Sequence, residues 1–159
     1  MAKQQYIGVL DCNNFFVSCE RLFRPDLHRK PVVVLSSNDG CVVARSQEVK
    51  DMGIPMGVPY FQIKDILDTQ KVTVFSSHLA LYRDVSRRVF EVLRKEITTV
   101  EQYSVDEAFF VLPIDKNSET VARAVRDIVQ AQVGVPVSIG VGFSKTQAKS
   151  AVTVAKKGS

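Results

Sequence analysis

Apolar residues in this chain fall into two patterns, short unbroken blocks and longer stripes at three- and four-residue steps. Residues 6–11, Tyr6-Ile7-Gly8-Val9-Leu10-Asp11, stay apolar until the last position and predict a buried strand. Asn13-Asn14 then leads into Phe15, Phe16, Val17, Cys19 and Leu22, which predicts a helix capped near Asn14 and ended by Arg24-Pro25-Asp26. Val32–Leu35 reads as a strand, Ser36–Gly40 as a turn and Cys41–Ala44 as the returning arm of a hairpin. A short helix over 46–52 should close at Gly53, followed by a proline-stiffened loop, a helix around 61–67 and a strand at 72–75.

The second half is more regular. Leu79, Tyr82, Val85, Val89, Leu93 and Ile97 make one stripe and predict a long amphipathic helix over 78–98. Two strands, 100–104 and 108–112, follow, then a helix capped by Asn117 or Ser118, a strand over 137–143 and a final helix over 148–157. With the stretch between Asp11 and Phe75 set aside, the remainder runs β-α-β-β-α-β, the order of a ferredoxin-like α+β fold. Such a sheet lays the end of its first strand beside the turn between its second and third, so Asp11 should meet Asp106 and Glu107.

Those three carboxylates are the candidate chemistry. Asp106-Glu107 sits inside Tyr103-Ser104-Val105-…-Ala108-Phe109-Phe110, an apolar setting in which charge is costly unless it is paired or holds a cation. A hard divalent ion such as Mg²⁺ suits carboxylate oxygens and leaves positions open for phosphates, which points to phosphoryl transfer. The plainer alternative is that Asp106 and Glu107 cap a hairpin while Asp11 ends a strand. Adjacent strand residues also point to opposite faces, so a shared site requires the backbone to turn at Asp106.

Composition adds limits rather than direction. The length of 159 residues suits one domain, or one domain with a sizeable insertion, and no apolar run approaches a membrane span. The amino terminus lacks a signal peptide's apolar core, and Cys12, Cys19 and Cys41 have no metal-type spacing, so a reducing cytoplasmic setting is expected. The formal net charge is only +4, but no acidic residue follows Asp127, while Lys145, Lys149, Lys156 and Lys157 do. A basic end favours a polyanionic partner, against the ordinary reading of a solvated helix face.

Several blocks together resemble the Y-family translesion DNA polymerases, most nearly the catalytic-subunit type of bacterial DNA polymerase V. They are Asp11-Cys12-Asn13-Asn14-Phe15-Phe16, Cys41-Val42-Val43-Ala44-Arg45, Gly53-Ile54-Pro55-Met56-Gly57 and Tyr103-Ser104-Val105-Asp106-Glu107-Ala108. The resemblance implies a ferredoxin-like palm (residues 1–12 and 77–159) and a small fingers subdomain (13–76) inserted after the first strand, with the family's thumb and little-finger domains absent from this chain. It implies that Asp11, Asp106, Glu107 and the Cys12 carbonyl ligate two Mg²⁺ ions for template-directed nucleotidyl transfer. Phe16 matches the steric gate that excludes a ribose 2′-hydroxyl, although a phenylalanine at helical spacing is more often core, as Phe15 should be.

Asn14, Phe15, Phe16, Gln47, Lys50 and Lys149 are the nucleotide-binding positions the resemblance implies. Gln47 stands where many relatives carry a triphosphate-binding tyrosine. The loop before Lys149 is short, which makes Lys145 the substitute candidate. Implied partners are primer–template DNA and a dNTP, with a processed accessory dimer and a recombinase filament in the damage response, and no membrane. A non-catalytic module that binds DNA or a partner subunit is the alternative, and a nucleotide cyclase the remotest one.

Overall fold

The computed structural model describes residues 5–113 and 117–157. Residues 1–4, on which the expectation about a signal peptide falls, lie outside the described residues. In chain order the elements are β1 (Gln5–Cys12), α1 (Phe15–Leu22), a 3-10 turn (Pro25–Leu27), β2 (Val32–Leu35) and β3 (Val42–Arg45). Next come α2 (Gln47–Asp51), α3 (Tyr60–Thr69), β4 (Thr73–Ser76), α4 (Leu79–Glu96) and β5 (Val100–Gln102). The chain closes with β6 (Glu107–Pro113), α5 (Ser118–Val133), β7 (Val137–Gly142) and α6 (Lys145–Lys157). They form two compact units, residues 1–13 with 83–159, and residues 14–82.

The first unit is built on a four-stranded sheet in the order β5-β6-β1-β7, each neighbouring pair antiparallel. That is the strand order of the ferredoxin-like fold expected from the sequence. β1 is central, so Val9 and Leu10 are buried, together with Phe110 from β6. The stripe of α4 supplies Val85, Val89, Phe90 and Leu93, all buried. The other face of β1 carries a smaller apolar cluster in which Val9 packs with Ala148 and Val152 of α6, edged by Ile7 and Phe109.

α6 lies unusually close to the sheet because β7 presents glycine to it. A methyl group on Gly140 would stand 2.3 Å from the Ala148 carbonyl oxygen and 2.4 Å from the Val152 nitrogen. Only a residue without a side chain admits the helix backbone at that distance.

The second unit holds a three-stranded sheet, β3-β2-β4, with β2 antiparallel to β3 and parallel to β4. Val33, Leu35, Val42, Val49, Ile54, Ile63 and Leu67 form its core. Ser46 caps α2, its hydroxyl accepting from Val49 N–H and also from Val32 N–H at 3.0 Å.

Several local expectations differ from the fold. Asn14 precedes α1 in a left-handed conformation (φ 44°) and its side chain does not cap the helix, because its Oδ1 accepts instead from Lys50 Nζ at 2.8 Å. Pro25 does not itself end α1, which stops at Leu22; it opens the following 3-10 turn. α6 begins at Lys145, a turn earlier than expected, since Ser144 accepts from Gln147 N–H and starts the helix. Strand β5 ends at Gln102, leaving residues 103–106 as a bend rather than strand.

Candidate active site

Antiparallel pairing sets Asp11, next to last in β1, directly opposite Glu107, the first residue of β6. Asp106 lies one residue before the strand, in the bend, near enough to feel the charges of Glu107 and Lys156. The bend is fixed from both ends. Cys12 N–H donates to the Asp106 carbonyl at 2.9 Å, and Tyr103 N–H donates to the Glu107 carbonyl at 3.2 Å. Within it, Ser104 Oγ donates to Asp106 Oδ1 at 3.0 Å and accepts from Asp106 N–H.

The electrostatics follow from this crowding. Burial pushes the Asp11 carboxyl up to about 6, Glu107 adds to the rise, and the Lys156 ammonium opposes it. Asp106 is also raised, chiefly by burial. At Glu107 burial acts in the same sense, but hydrogen bonds from Tyr103 and Asp11 and the nearby Lys149 and Lys156 outweigh it, so its carboxyl lies below the usual value. Of the two facing carboxyls, Asp11 is therefore the more readily protonated.

Two cations on α6, Lys149 and Lys156, line the same cavity as Asp11 and Glu107, and Lys145 lies nearby over the Phe109 ring. Lys156 Nζ donates to Asp11 Oδ1 at 2.8 Å, and the Asp11 side chain is only 14% exposed. Lys149 Nζ lies 5.2 Å from the Tyr103 ring centre, and Lys145 Nζ lies 4.6 Å from that of Phe109. Tyr103 and Phe109 are themselves stacked, 4.6 Å apart. Asp11, Glu107, Tyr103, Lys149 and Lys156 line a cavity of about 190 Å³. A larger groove of about 430 Å³ runs along α5 and β7, but its polar groups are satisfied within the fold: Arg123 on Glu119, Gln130 on Val137 N–H, Ser138 on Asn13. The smaller, charged cavity is the chemically competent one.

Among the described residues, no three Asp, Glu, His or Cys side chains form a ready-made metal cage. The donor set nonetheless fits a hard divalent cation. It is made of carboxylate oxygens, Asp11 and Glu107 face each other across paired strands, and the Lys156 ammonium already brings to Asp11 positive charge of the kind a metal ion would supply.

The remaining expected residues lie in the second unit, apart from Cys12, which ends β1 with a buried side chain. Phe15 is buried, 4% exposed, so its side chain is core. Phe16 is half-buried and stacks on Tyr82, ring centres 4.3 Å apart and planes 14° off parallel. Gln47 is exposed on α2 and donates to Asp51 at 2.9 Å, while Lys50 holds Asn14.

Residues 10–153 match the impB/mucB/samB family. This chain belongs to that family. A relative within reach of this impB/mucB/samB chain is Protein UmuC of Salmonella typhimurium (strain LT2), 45% identical over 153 residues, 94% of this chain and 36% of that protein. DNA polymerase IV of Corynebacterium diphtheriae is 35% identical, over 96% of this chain and 35% of the relative. The chain thus spans about a third of the length of the curated relatives it matches. Among solved structures, an insertion ternary complex of Dbh DNA polymerase superposes with a TM-score of 0.82 at 23% identity, covering 97% of this chain and 46% of that one. The fold of this impB/mucB/samB chain is accordingly that of the Y-family DNA polymerases.

Sequence reasoning counted Lys156 only within a basic end suited to a polyanion, and placed neither it nor Tyr82 against a particular site residue. A signal for Lys156 was present, since it follows Lys149 by seven residues and two helical turns return it to the same face. Tyr82 read only as one member of an apolar stripe. No helix among the described residues is long and apolar enough to cross a membrane.

Proposed function

We propose that this chain is the nucleotidyl-transfer core of an error-prone, lesion-bypassing DNA polymerase acting in the bacterial cytoplasm. The supporting observation is the cross-strand pairing of Asp11 with Glu107, beside Asp106 and faced by Lys149 and Lys156 from α6. Negative oxygens suited to metal and cations suited to phosphate line one cavity, as nucleotidyl transfer requires. Family membership and the polymerase names of relatives agree with it. On this reading residues 1–12 and 77–159 are the palm and 13–76 the fingers.

Asp11, Asp106, Glu107 and the Cys12 carbonyl would hold two Mg²⁺ ions, which supply activation of a primer 3′-hydroxyl and neutralisation of the leaving pyrophosphate. The chain's own groups do the rest. Lys149, with Lys145 beside it, offers charge to a triphosphate, and Tyr103 and Phe109 hold those lysines in place through their ring faces. Ser104 fixes the Asp106 carboxylate in the bend. In the second unit Asn14, Phe15, Gln47 and Lys50 are the nucleotide-binding positions of this reading, and Phe16 excludes a 2′-hydroxyl. Primer–template DNA and dNTP are the partners, and an accessory dimer and recombinase filament belong to the same reading.

Calorimetric titration of dATP in Mg²⁺ tests it. The unaltered chain should bind in a metal-dependent way, and Asp106→Asn should weaken binding about tenfold or more. Equal binding by both proteins would refute the metal role. No binding by either would favour a non-catalytic, partner-binding module.

A further inference from the structure

Glu20 is a carboxylate the proposed chemistry does not use, yet it is 5% exposed, a costly place for one unless it serves a purpose. It lies on α1 four residues after Phe16, so the two side chains share one face of the helix, a turn apart. His78 and Tyr82 are likewise four apart at the start of α4, where Tyr82 N–H donates to the His78 carbonyl. The two pairs meet. Tyr82 lays its ring on Phe16 and carries its hydroxyl on to Glu20 Oε1 at 2.9 Å, and His78 Nδ1 reaches the same oxygen at 2.6 Å.

Tyr82 is 1% exposed, so its ring has no alternative position in solvent. A tyrosine anchored at both ring and hydroxyl cannot slide along its neighbour. Phe16, only half-buried, would otherwise turn about its own side-chain bonds, because its partner Phe15 contacts it obliquely, 6.0 Å away and 50° tilted. The rigid face against which Phe16 rests is therefore Tyr82, held by its burial and, at its hydroxyl end, by the buried Glu20 with its His78 partner.

We infer that Glu20 and Tyr82 are positioning residues for sugar discrimination: the Glu20–Tyr82 hydrogen bond fixes the ring on which Phe16 stacks, and so sets how firmly Phe16 excludes a ribonucleotide. The inference rests on the reading of Phe16 as the gate. It adds a cause, since a gate discriminates only as well as its ring is held. A ring free to rock by a fraction of an ångström yields to a single added hydroxyl, whereas a clamped one does not.

Two measurements on the full chain separate this inference from the reading beneath it. The first is aromatic ¹³C NMR of the phenylalanine rings. Tyr82→Leu, and Tyr82→Phe and Glu20→Leu, which break the hydrogen bond, should move the Phe16 resonances towards unstacked values, while Glu20→Gln, which keeps an acceptor for the Tyr82 hydroxyl, should move them less. The second is the ratio of dATP to ATP affinity in Mg²⁺. Phe16→Ala should erase the preference for dATP, and Tyr82→Leu or Glu20→Leu should cut it about fivefold, the worth of one stacked aromatic pair. Neither should change the ratio further once Phe16 is Ala.

The inference is overturned if Phe16 resonances stay fixed in well-folded Glu20→Leu or Tyr82→Phe protein. It is also overturned if these substitutions alter the ratio equally with and without Phe16. A preference that survives Phe16→Ala, or a chain that binds no dATP, refutes the gate reading and the discriminating role together. The NMR result then still reports whether Glu20 holds the ring.

Discussion

Replacing Gly140 by Ala tests the argument that the site depends on how closely α6 approaches the sheet. The added methyl group would lie 2.3 Å from Ala148 O, 2.4 Å from Val152 N and 2.8 Å from Ala151 C. All three are backbone atoms of one helix, so no side chain can rotate out of the way. To bring the closest contact to a tolerable separation α6 must recede by roughly 0.7 Å, a gap that forfeits about a quarter to a half of the dispersion energy across it. The interface at risk is the packing of Ala148 and Val152 on Val9, and burial of such a pair is worth about 4 kcal/mol. Losing part of it costs about 1–2 kcal/mol, and the strain of an overpacked contact adds a similar amount. The total is about 3 kcal/mol, a fall in Tm of about 6–12 °C for a chain of this size.

The same displacement draws Lys156 and Lys149 away from the carboxylates, so the 2.8 Å Lys156–Asp11 contact should lengthen and weaken. Urea and thermal unfolding followed by circular dichroism measure the loss. Gly53→Ala is the control, because Gly53 has φ +82° but no atom within 4 Å of the added methyl, so only backbone strain of about 1 kcal/mol applies. A Gly140→Ala protein no less stable than Gly53→Ala would refute the close-approach argument.

Two further outcomes follow from particular groups. Asp11 has a folded-state pKa of about 6 against 3.8 for the free carboxyl. The folded chain therefore keeps a proton that the unfolded chain releases, a stabilisation complete below about pH 4 and lost as pH rises through about 6. Discounted for the partly exposed edge of the site, it amounts to about 2 kcal/mol. In metal-free buffer, Asp11→Asn should flatten that slope and Lys156→Ala should carry it to higher pH, since the lysine pulls Asp11 down; identical urea midpoints across pH for all three proteins would contradict this. Ser46→Ala leaves Val32 N–H and Val49 N–H without their acceptor at a fully buried position, and should cost about 2–3 kcal/mol by equilibrium unfolding, with a loss under about 0.5 kcal/mol counting against it.

The sequence by itself determined the order of the elements and what they bury. Val9 and Leu10 could only be core, the stripe Val85-Val89-Leu93 could only be one helix face, and β-α-β-β-α-β with these lengths closes as one antiparallel sheet. That order alone lays the end of β1 beside the turn before β6 and so brings Asp11 near Asp106 and Glu107, while the strand register pairs it with Glu107. Tertiary structure decided what lies across the gaps between elements. It put Asp106 in a bend, through Cys12 N–H and Ser104. It turned Asn14 from an expected cap into a left-handed residue held by Lys50. It brought Lys156 to Asp11 and Tyr82 to Phe16 and Glu20. Periodicity reports that a face is buried or exposed within its own element. Which two faces meet, and at what distance, depends on helix positions set by remote contacts such as Gly140 against the backbone of α6, and no local pattern of residues records that.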